Sequence, residues 1–456
     1  MRDTLLLAAL TLAAFGAGVA GPFHFDDYAL FGDASVTSGS GWLDLWRIPQ
    51  TRPLTWLTFW LNFQVGGHNA AGYHAVNLLL HMGTVVLLRR VLGRLMPERT
   101  ALIAAALFAI HPIQAEAVNY IFARAIVIAT LLCLAAFDAW LRGNHWRAAL
   151  WFAAALLAKE ECVAFPAMLL LLHLSVSRNS RELRPIGAMF LLAAAAGSRV
   201  LFALTAGRIQ GAGETAGITA GDYFWTQGAA LWRYARLLAI PWGFSVDPQI
   251  DRAPVWLGAT AWVLIAIAAA ACTRRFGRAR EGFWLLAGIV LLLPSSSIFP
   301  AADLAADRRL YLPVIAFAPA FALVAARWRP AVPVCVVLLL TGLSLHRTLI
   351  WRSEESLWAE AVERAPSKIR PRIQLSRHSP PQRARALLAE AQTLAPDSAE
   401  VASEQGRVAL ADGRLAEALA AFGRALSLDP GSAAALNNRG LALLMLGQRD
   451  AAAGDF

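Results

Sequence analysis

Residues 5–348 are a succession of apolar runs, and no other feature constrains the fold as strongly. A helix crossing a bilayer needs about 20 mostly apolar residues, with shorter ones accommodated inside a bundle. Runs of that kind lie at 5–21, 73–93, 100–112, 124–141, 147–158, 162–176, 186–206, 255–272, 283–295, 311–327 and 331–348. They predict an all-α polytopic bundle of about eleven spans. Residues 226–240 form a further apolar stretch, but Arg233 and Arg236 make it a poor span. It reads as an interfacial or re-entrant helix. With 57% hydrophobic and only 16% charged residues, the chain is neither disordered nor an ordinary soluble domain. The first run has a weak cleavage region, "GVAGPF", and a single flanking Arg2, so it reads as an uncleaved anchor and not as a signal peptide.

The net charge of +10 raises the question of a nucleic-acid partner. Placement argues against one, because the arginines are scattered between apolar runs and form no single basic face. They report orientation instead. Sixteen arginines fall in one set of short connections: Arg2; Arg89, Arg90, Arg94 and Arg99; Arg142 and Arg147; Arg178, Arg181 and Arg184; Arg274, Arg275, Arg278 and Arg280; Arg327 and Arg329. The positive-inside rule makes that side cytoplasmic. The expected location is a plasma (inner) membrane, with the N-terminus cytoplasmic and everything after residue 349 outside, in the periplasm. The four cysteines lie in or beside apolar runs without a Cys-x-x-Cys pair and read as small buried hydrophobes.

The first outer loop, 22–71, is large. Trp42 and Trp46 are four apart, as are Trp56 and Trp60, which predicts short amphipathic helices lying in the outer interface. After Trp351 the composition shifts to Ala, Arg, Glu and Leu, and a 34-residue period appears. Gly406 recurs as Gly440, Gly413 as Gly447, Ala418 as Ala452, Phe422 as Phe456 and Pro396 as Pro430. Those spacings are those of tetratricopeptide repeats. The expected division is a membrane domain at 1–348, a connection with a degenerate repeat at 349–396, and repeats at 397–456. The chain stops inside the second helix of a repeat, so further repeats are expected beyond it.

Polar residues collect at the outer boundary in four places: Asp26 and Asp27; His111, Glu116, Tyr120 and Arg124; Lys159 to Glu161; and Asp303, Asp307, Arg308, Arg309 and Tyr311. Acid, base and cation at one membrane boundary suggest a site open to the outer leaflet. The competing reading is that they cap helices and pair with one another.

The motifs "FHFDDYALF", "RPLTWLTFWLNFQVGGHNAAGYHAVNLLLH", "FAIHPIQAEAVNYIFARA", "LAKEECVAFP", "PSSSIFPAADLAADRRLYLP" and "LIWRSEESLWAEAVERAP" occur in that order over nearly the whole chain. In this the sequence resembles the transmembrane and tetratricopeptide-repeat-containing O-mannosyltransferases and, more widely, the GT-C membrane glycosyltransferases. The resemblance implies an acidic residue of the first outer loop at the transfer centre, which either Asp26 or Asp27 matches. It implies a polyprenyl-phosphate-linked sugar as donor and a Ser or Thr hydroxyl of an exported polypeptide as acceptor. Repeat arrays offer concave surfaces for extended partners, so the repeats are expected to present the acceptor or, as a scaffold, to bind another envelope protein. Two residues after Arg124, where such relatives commonly carry an acid, this chain has Ile126.

The chemistry asks for these residue types. A weak hydroxyl nucleophile needs a carboxylate base, and the leaving lipid phosphate needs fixed cations. Asp26 and Asp27 are the candidate bases. Arg308 and Arg309, then Arg124 and Lys159, are the candidates for the donor phosphate, with His111, Glu116, Asp307 and Tyr311 in support. Direct displacement would invert the anomeric configuration. Two adjacent acids with donor phosphate could also hold a divalent metal, but no compact ligand cluster supports one and no cofactor is expected. Two other classes compete: a membrane-anchored repeat scaffold, whose outer carboxylates would tolerate substitution, and a transporter, which would carry its charges nearer the bilayer midplane.

Overall fold

The computed structural model describes residues 1–47, 50–177, 179–205, 217–250, 252–275, 280–297, 300–301 and 303–456. Arg178, Arg278 and the last residue of the expected span 186–206 lie outside them. No strand occurs among the described residues; the protein is all-α. The chain divides into two compact units, Met1–Phe244 with Ile250–Arg352, and Ser245–Gln249 with Ser353–Phe456.

The first unit contains α1 (Arg2–Phe15), α2 (Ala34–Thr37), α3 (Pro53–Gly66), α4 (Ala70–Leu92), α5 (Glu98–Ile110), α6 (Ala115–Asn119), α7 (Arg124–Leu141), α8 (His145–Ala158), α9 (Phe165–Leu172), α10 (Leu183–Thr205), α11 (Ala220–Ala239), α12 (Val255–Arg275), α13 (Arg280–Leu292), α14 (Tyr311–Ala325) and α15 (Ala331–Ile350). All eleven expected spans contain a helix. Seven segments among the described residues are long and apolar enough to cross a membrane, or eight if the pair Glu98–Ile110 and Pro112–Asn119, bent by 47°, is one span. The chain is a multi-pass membrane protein. Helices α8, α9 and α13 have 14, 8 and 13 residues and are shorter than a full crossing.

The bend after α5 has a local cause. Pro112 follows His111, which leaves the helical region as its backbone turns extended, and His111 Nδ1 accepts from the Ile113 N–H at 3.1 Å. This turns α6 by 47° from the line of α5. The apolar core runs through α4, α5, α7 and α14, where Phe108, Phe137, Leu134 and Ile315 are buried. Helix α11 is packed hard against α12: a Cβ on Gly258 would lie 2.3 Å from the Trp225 carbonyl oxygen, so backbones touch where both helices carry glycine, Gly228 and Gly258.

The loop 22–71 is folded. It contains 3₁₀ turns at Phe25–Phe31 and Gly41–Trp46 as well as α2 and α3. The expected amphipathic helix around Trp42 and Trp46 is therefore a 3₁₀ segment, whose i, i+3 geometry does not stack residues four apart. Trp42 packs on Trp60 instead, with ring centroids 6.4 Å apart.

The second unit holds α16 (Glu354–Arg364), α17 (Ile369–Arg377), α18 (Pro381–Leu394), α19 (Ala399–Ala411), α20 (Leu415–Leu428), α21 (Ala433–Met445) and α22 (Arg449–Asp455). The 34-residue period has a steric reason here. A Cβ on Gly406 would lie 2.6 Å from the Phe422 ring, and one on Gly440 would lie 2.9 Å from the Phe456 ring. Each aromatic fills the space that a missing side chain leaves on the preceding helix.

Candidate functional site

The two adjacent carboxylates of the 3₁₀ turn Phe25–Phe31 have different fates. Asp27 is fully buried. Its Oδ2 accepts from the His24 N–H at 2.9 Å and its Oδ1 from the Phe122 N–H at 2.8 Å, so it ties the loop to the segment before α7. Burial pushes its carboxyl up to about 7, against two backbone donors that favour the ionised form. Both Asp27 oxygens are committed to backbone. Asp26 is exposed, and its Oδ2 accepts from the Tyr120 hydroxyl at 2.9 Å. Of the candidate pair, only Asp26 presents a carboxylate that a substrate could reach.

Tyr120 links this carboxylate to a cation. Burial and the nearby carboxylates push its hydroxyl up, keeping it a proton donor. The Arg308 guanidinium lies over its ring, 5.9 Å from the centroid, and the ring also stacks against Trp351. Glu116 accepts from Arg308 twice, from the backbone N–H at 3.1 Å and from Nη1; Asp303 accepts from Nη2 at 3.1 Å. These partners hold the fork of Arg308 in one orientation while its side chain remains 27% exposed.

The third group adds two ion pairs. Lys159 Nζ lies 2.9 Å from Glu161 Oε1, and Arg52 donates through Nε (2.9 Å) and Nη2 to Glu160. Burial opposes ionisation of Glu160, yet Arg52 beside it holds the carboxyl down at about 2. Burial lowers the Lys159 ammonium, with Glu161 pulling the other way. Arg308 is close enough to repel both Arg52 and Lys159, so these groups form one electrostatic neighbourhood.

Backbone strain marks the same place. Among the described residues, only Phe25 (φ 47°) and Arg52 (φ 58°) are non-glycine residues with positive φ. Each such residue costs ~1–3 kcal/mol, and such strain gathers at functional sites. One directly precedes Asp26 and the other carries the cation that holds Glu160.

Other expected residues are placed elsewhere. Arg124 is fully buried and is not available to a phosphate. Its Nε donates to Asn77 Oδ1 and its Nη1 to Asn62 Oδ1, each at 2.6 Å, and its Nη2 to the Tyr73 carbonyl at 2.9 Å. The guanidinium also lies 4.6 Å from the Phe59 centroid, knotting α3, α4 and α7. Arg309 is buried; its Nη2 donates to the Asp303 carbonyl at 2.6 Å and its Nη1 to Tyr223 Oη at 3.2 Å. Asp307 pairs with Arg233 at 2.5 Å, which anchors α11 to the turn before α14. Tyr311 belongs to the core: its hydroxyl meets His81 Nδ1 at 2.7 Å while His81 Nε2 donates to the Ala109 carbonyl at 3.0 Å. His111 shapes the bend, and its Nε2 donates to the Leu238 carbonyl at 3.3 Å. Arg52 and Arg233 have no site role in a reading by sequence, since each gains its meaning from a partner at least 74 residues away. The αL residue before Pro53 leaves no local signal.

Among the described residues no group of three or more His, Cys, Asp or Glu is gathered as a metal-binding set. Asp27, held by backbone N–H groups, is not free to act as a ligand beside Asp26.

The fold is that of a polytopic helical membrane protein with tetratricopeptide repeats. The TPR repeat family matches residues 406–447. Along its length the chain is similar to proteins that carry the name protein O-mannosyl-transferase. F38B6.6 of Caenorhabditis elegans is 26% identical over 407 residues, covering 80% of this chain and 58% of that one. TMTC4 of Homo sapiens is 26% identical over 464 residues, covering 79% and 62%. Tmtc2 of Drosophila melanogaster is 38% identical over 154 residues, covering 30% and 16%. The chain thus spans about three fifths of the length of the first two relatives. The likeness agrees with the resemblance carried by the motifs: over most of its length the chain is similar to proteins of that name, and it carries tetratricopeptide repeats.

Proposed function

We propose that this protein is a membrane glycosyltransferase. In this reading it moves a sugar, mannose by likeness to its relatives, from a polyprenyl-phosphate donor to Ser or Thr hydroxyls of exported polypeptide at the outer face of a plasma membrane. The observation that carries the proposal is the Asp26–Tyr120–Arg308 array, with an exposed carboxylate and a partly exposed, pre-oriented guanidinium held on either side of one tyrosine.

Asp26 takes the proton of the acceptor hydroxyl as its oxygen bonds to the anomeric carbon. The bond from that carbon to the phosphate oxygen breaks, and its electron pair leaves with the polyprenyl phosphate. Arg308 meets the charge gained by the phosphate; Asp303, half exposed, gives up Nη2 to it, and Lys159 adds positive charge behind. Attack from the face opposite the phosphate inverts the configuration. The cations of the chain supply the charge stabilisation, so no metal is part of the proposal. The repeats present the acceptor polypeptide.

The test is transfer of radiolabelled mannose from a short-chain polyprenyl-phosphate-mannose to periplasmic extract by purified protein in detergent, with EDTA present. Transfer by the parent and its loss in Asp26→Asn, in a variant that extracts and melts normally, is the expected result. Equal transfer by Asp26→Asn refutes the base. The repeats favour a second reading, a membrane-anchored scaffold, and no transfer from any of several donor sugars would move the assignment there.

A further inference from the structure

Beyond Arg124, ~21 Å along α7 by helical rise, the same helix carries Asp138. Three arginines converge on it. Arg142 Nη2 lies 2.9 Å from Asp138 Oδ2, and at the end of α4 Arg94 Nε and Arg90 Nε lie 3.2 and 3.7 Å from Oδ1. Three guanidiniums against one carboxylate leave an excess of two positive charges. The pairing is incomplete as well as unequal. Asp138 Oδ1 is buried and accepts no hydrogen bond, so Arg90 and Arg94 lie beside it without being tied to it. Among the described residues none of the three arginines donates a hydrogen bond to another side chain. Arg90 keeps 56% of its side chain exposed, and an added anion would relieve the repulsion between these cations.

The cluster also has a place relative to lipid. Helix α4 and the segment Ile121–Leu141 that holds α7 are both long and apolar enough to cross a membrane, so their ends fall where headgroups begin. The two helices run in the same direction, since Asn77 meets Arg124 near their starts and Arg90 approaches Asp138 near their ends. The seam between them is apolar and open. Leu79 and Val86 are exposed, and Gly83 between them carries no side chain; the nearest atom to a Cβ built there is Leu131 Cδ1 of α7, at 3.9 Å. Leu79, Gly83, Val86, Arg90 and Arg94 follow at spacings of three or four, which stacks them on one face of the α4 end. On α7, Leu131, Asp138 and Arg142 share a face in the same way. A shallow apolar strip therefore runs up to three cations.

We propose that this end of the α4–α7 seam binds the headgroup of an anionic phospholipid with two phosphodiesters, one acyl chain lying on the strip over Gly83. Two phosphates match the excess of two positive charges, and forked guanidiniums suit phosphate oxygens. Basic pockets between membrane helices recognise headgroups of this kind. A free phosphate would meet the cations and leave the strip uncovered, so the continuity of strip and cations favours the lipid. The site is at the far end of α7 from Arg124 and does not depend on the transferase reading.

The experiment uses the full chain in detergent, with native mass spectrometry and thermal melting as readouts. The probes are diphosphatidylglycerol, phosphatidylglycerol, phosphatidylcholine and pyrophosphate. The parent is expected to retain diphosphatidylglycerol ~10-fold over phosphatidylcholine, with phosphatidylglycerol between them, and to melt at a higher temperature when it is bound. Arg90→Gln with Arg94→Gln, both at exposed sites, should bring retention down to the phosphatidylcholine level, and the corresponding pair of Lys substitutions should keep most of it. Asp138→Asn removes the competing anion and should strengthen retention, which a purely structural ion pair would not do. Gly83→Leu should weaken retention by occupying the strip. Equal retention of phosphatidylcholine, or pyrophosphate protecting as well as the lipid, overturns the proposal. So does retention that is unchanged in the double Gln variant or in Gly83→Leu, or that falls in an Asp138→Asn protein that melts normally.

Discussion

Arg124 and Arg308 both lie near the start of a segment long and apolar enough to cross a membrane, and each lies against an aromatic ring, yet their surroundings are opposites. Around Arg124 the acceptors are neutral: two asparagine oxygens, a tyrosine carbonyl and Thr58. Every arm of the fork is engaged and none of it meets solvent. Around Arg308 the acceptors are carboxylates, one of them at 42% side-chain exposure, and the cation itself is partly open. The first arrangement buys a rigid junction of three helices. The second holds a cation that can exchange one partner for a phosphate. Proximity to a motif does not separate these two roles; saturation and exposure do.

The contrast can be broken most sharply at Asp26. Asp26→Asn is expected to lower kcat by ~10²–10⁴, the range of a general base, with the melting temperature unchanged; a loss under threefold would remove Asp26 from the chemistry. Arg124→Gln should do the reverse. Unfilled acceptors in a buried knot are expected to destabilise by ~1–3 kcal/mol for each one left unpaired, seen as low yield and early melting, while transfer per folded molecule is kept. A stable, inactive Arg124→Gln would overturn the structural role assigned here. Arg308→Lys keeps the charge but loses the fork, and should lower kcat by ~10-fold or more without altering melting.

Asp27 gives a pH signature. Its folded carboxyl sits at about 7 and its unfolded value is 3.8. The protonated form is the one favoured in the fold, so its contribution is full below about pH 4 and is lost as pH rises through 7, by ~1.4 kcal/mol per unit at most. Melts of the parent between pH 4 and 8 should show this decline, and Asp27→Asn should flatten it. The smallest effect is at Tyr120→Phe. Loss of one hydrogen bond, ~0.5–1.5 kcal/mol, should lower kcat about 3- to 10-fold, while the ring continues to support Arg308 and binding of donor is retained.

Much of the bundle was legible without coordinates. Each of the eleven apolar runs holds a helix, because burial of backbone polar groups in lipid leaves helix as the available solution for such runs. The bend at His111–Pro112 and the repeat period follow from proline, glycine and aromatic spacing. The site was legible only as a neighbourhood. Asp26, Asp27, Glu116, Lys159 and Arg308 do come to one boundary, whereas Arg124, Arg309, Asp307, His111 and Tyr311 serve the scaffold. Nothing local distinguishes these groups, since both kinds are polar residues at helix ends.

The linear chain settled what depends on residues within a few turns of one another: where helices form, how the repeats recur, and which stretches are apolar enough for a bilayer. Tertiary structure decided which charges are spent and which remain open. Arg308 meets Glu116 across 192 residues, Arg52 meets Glu160 across 108, and Asp27 is quenched by an N–H 95 residues away. The state of an ion depends on all the groups around it, and those groups arrive from separate helices only when the bundle closes.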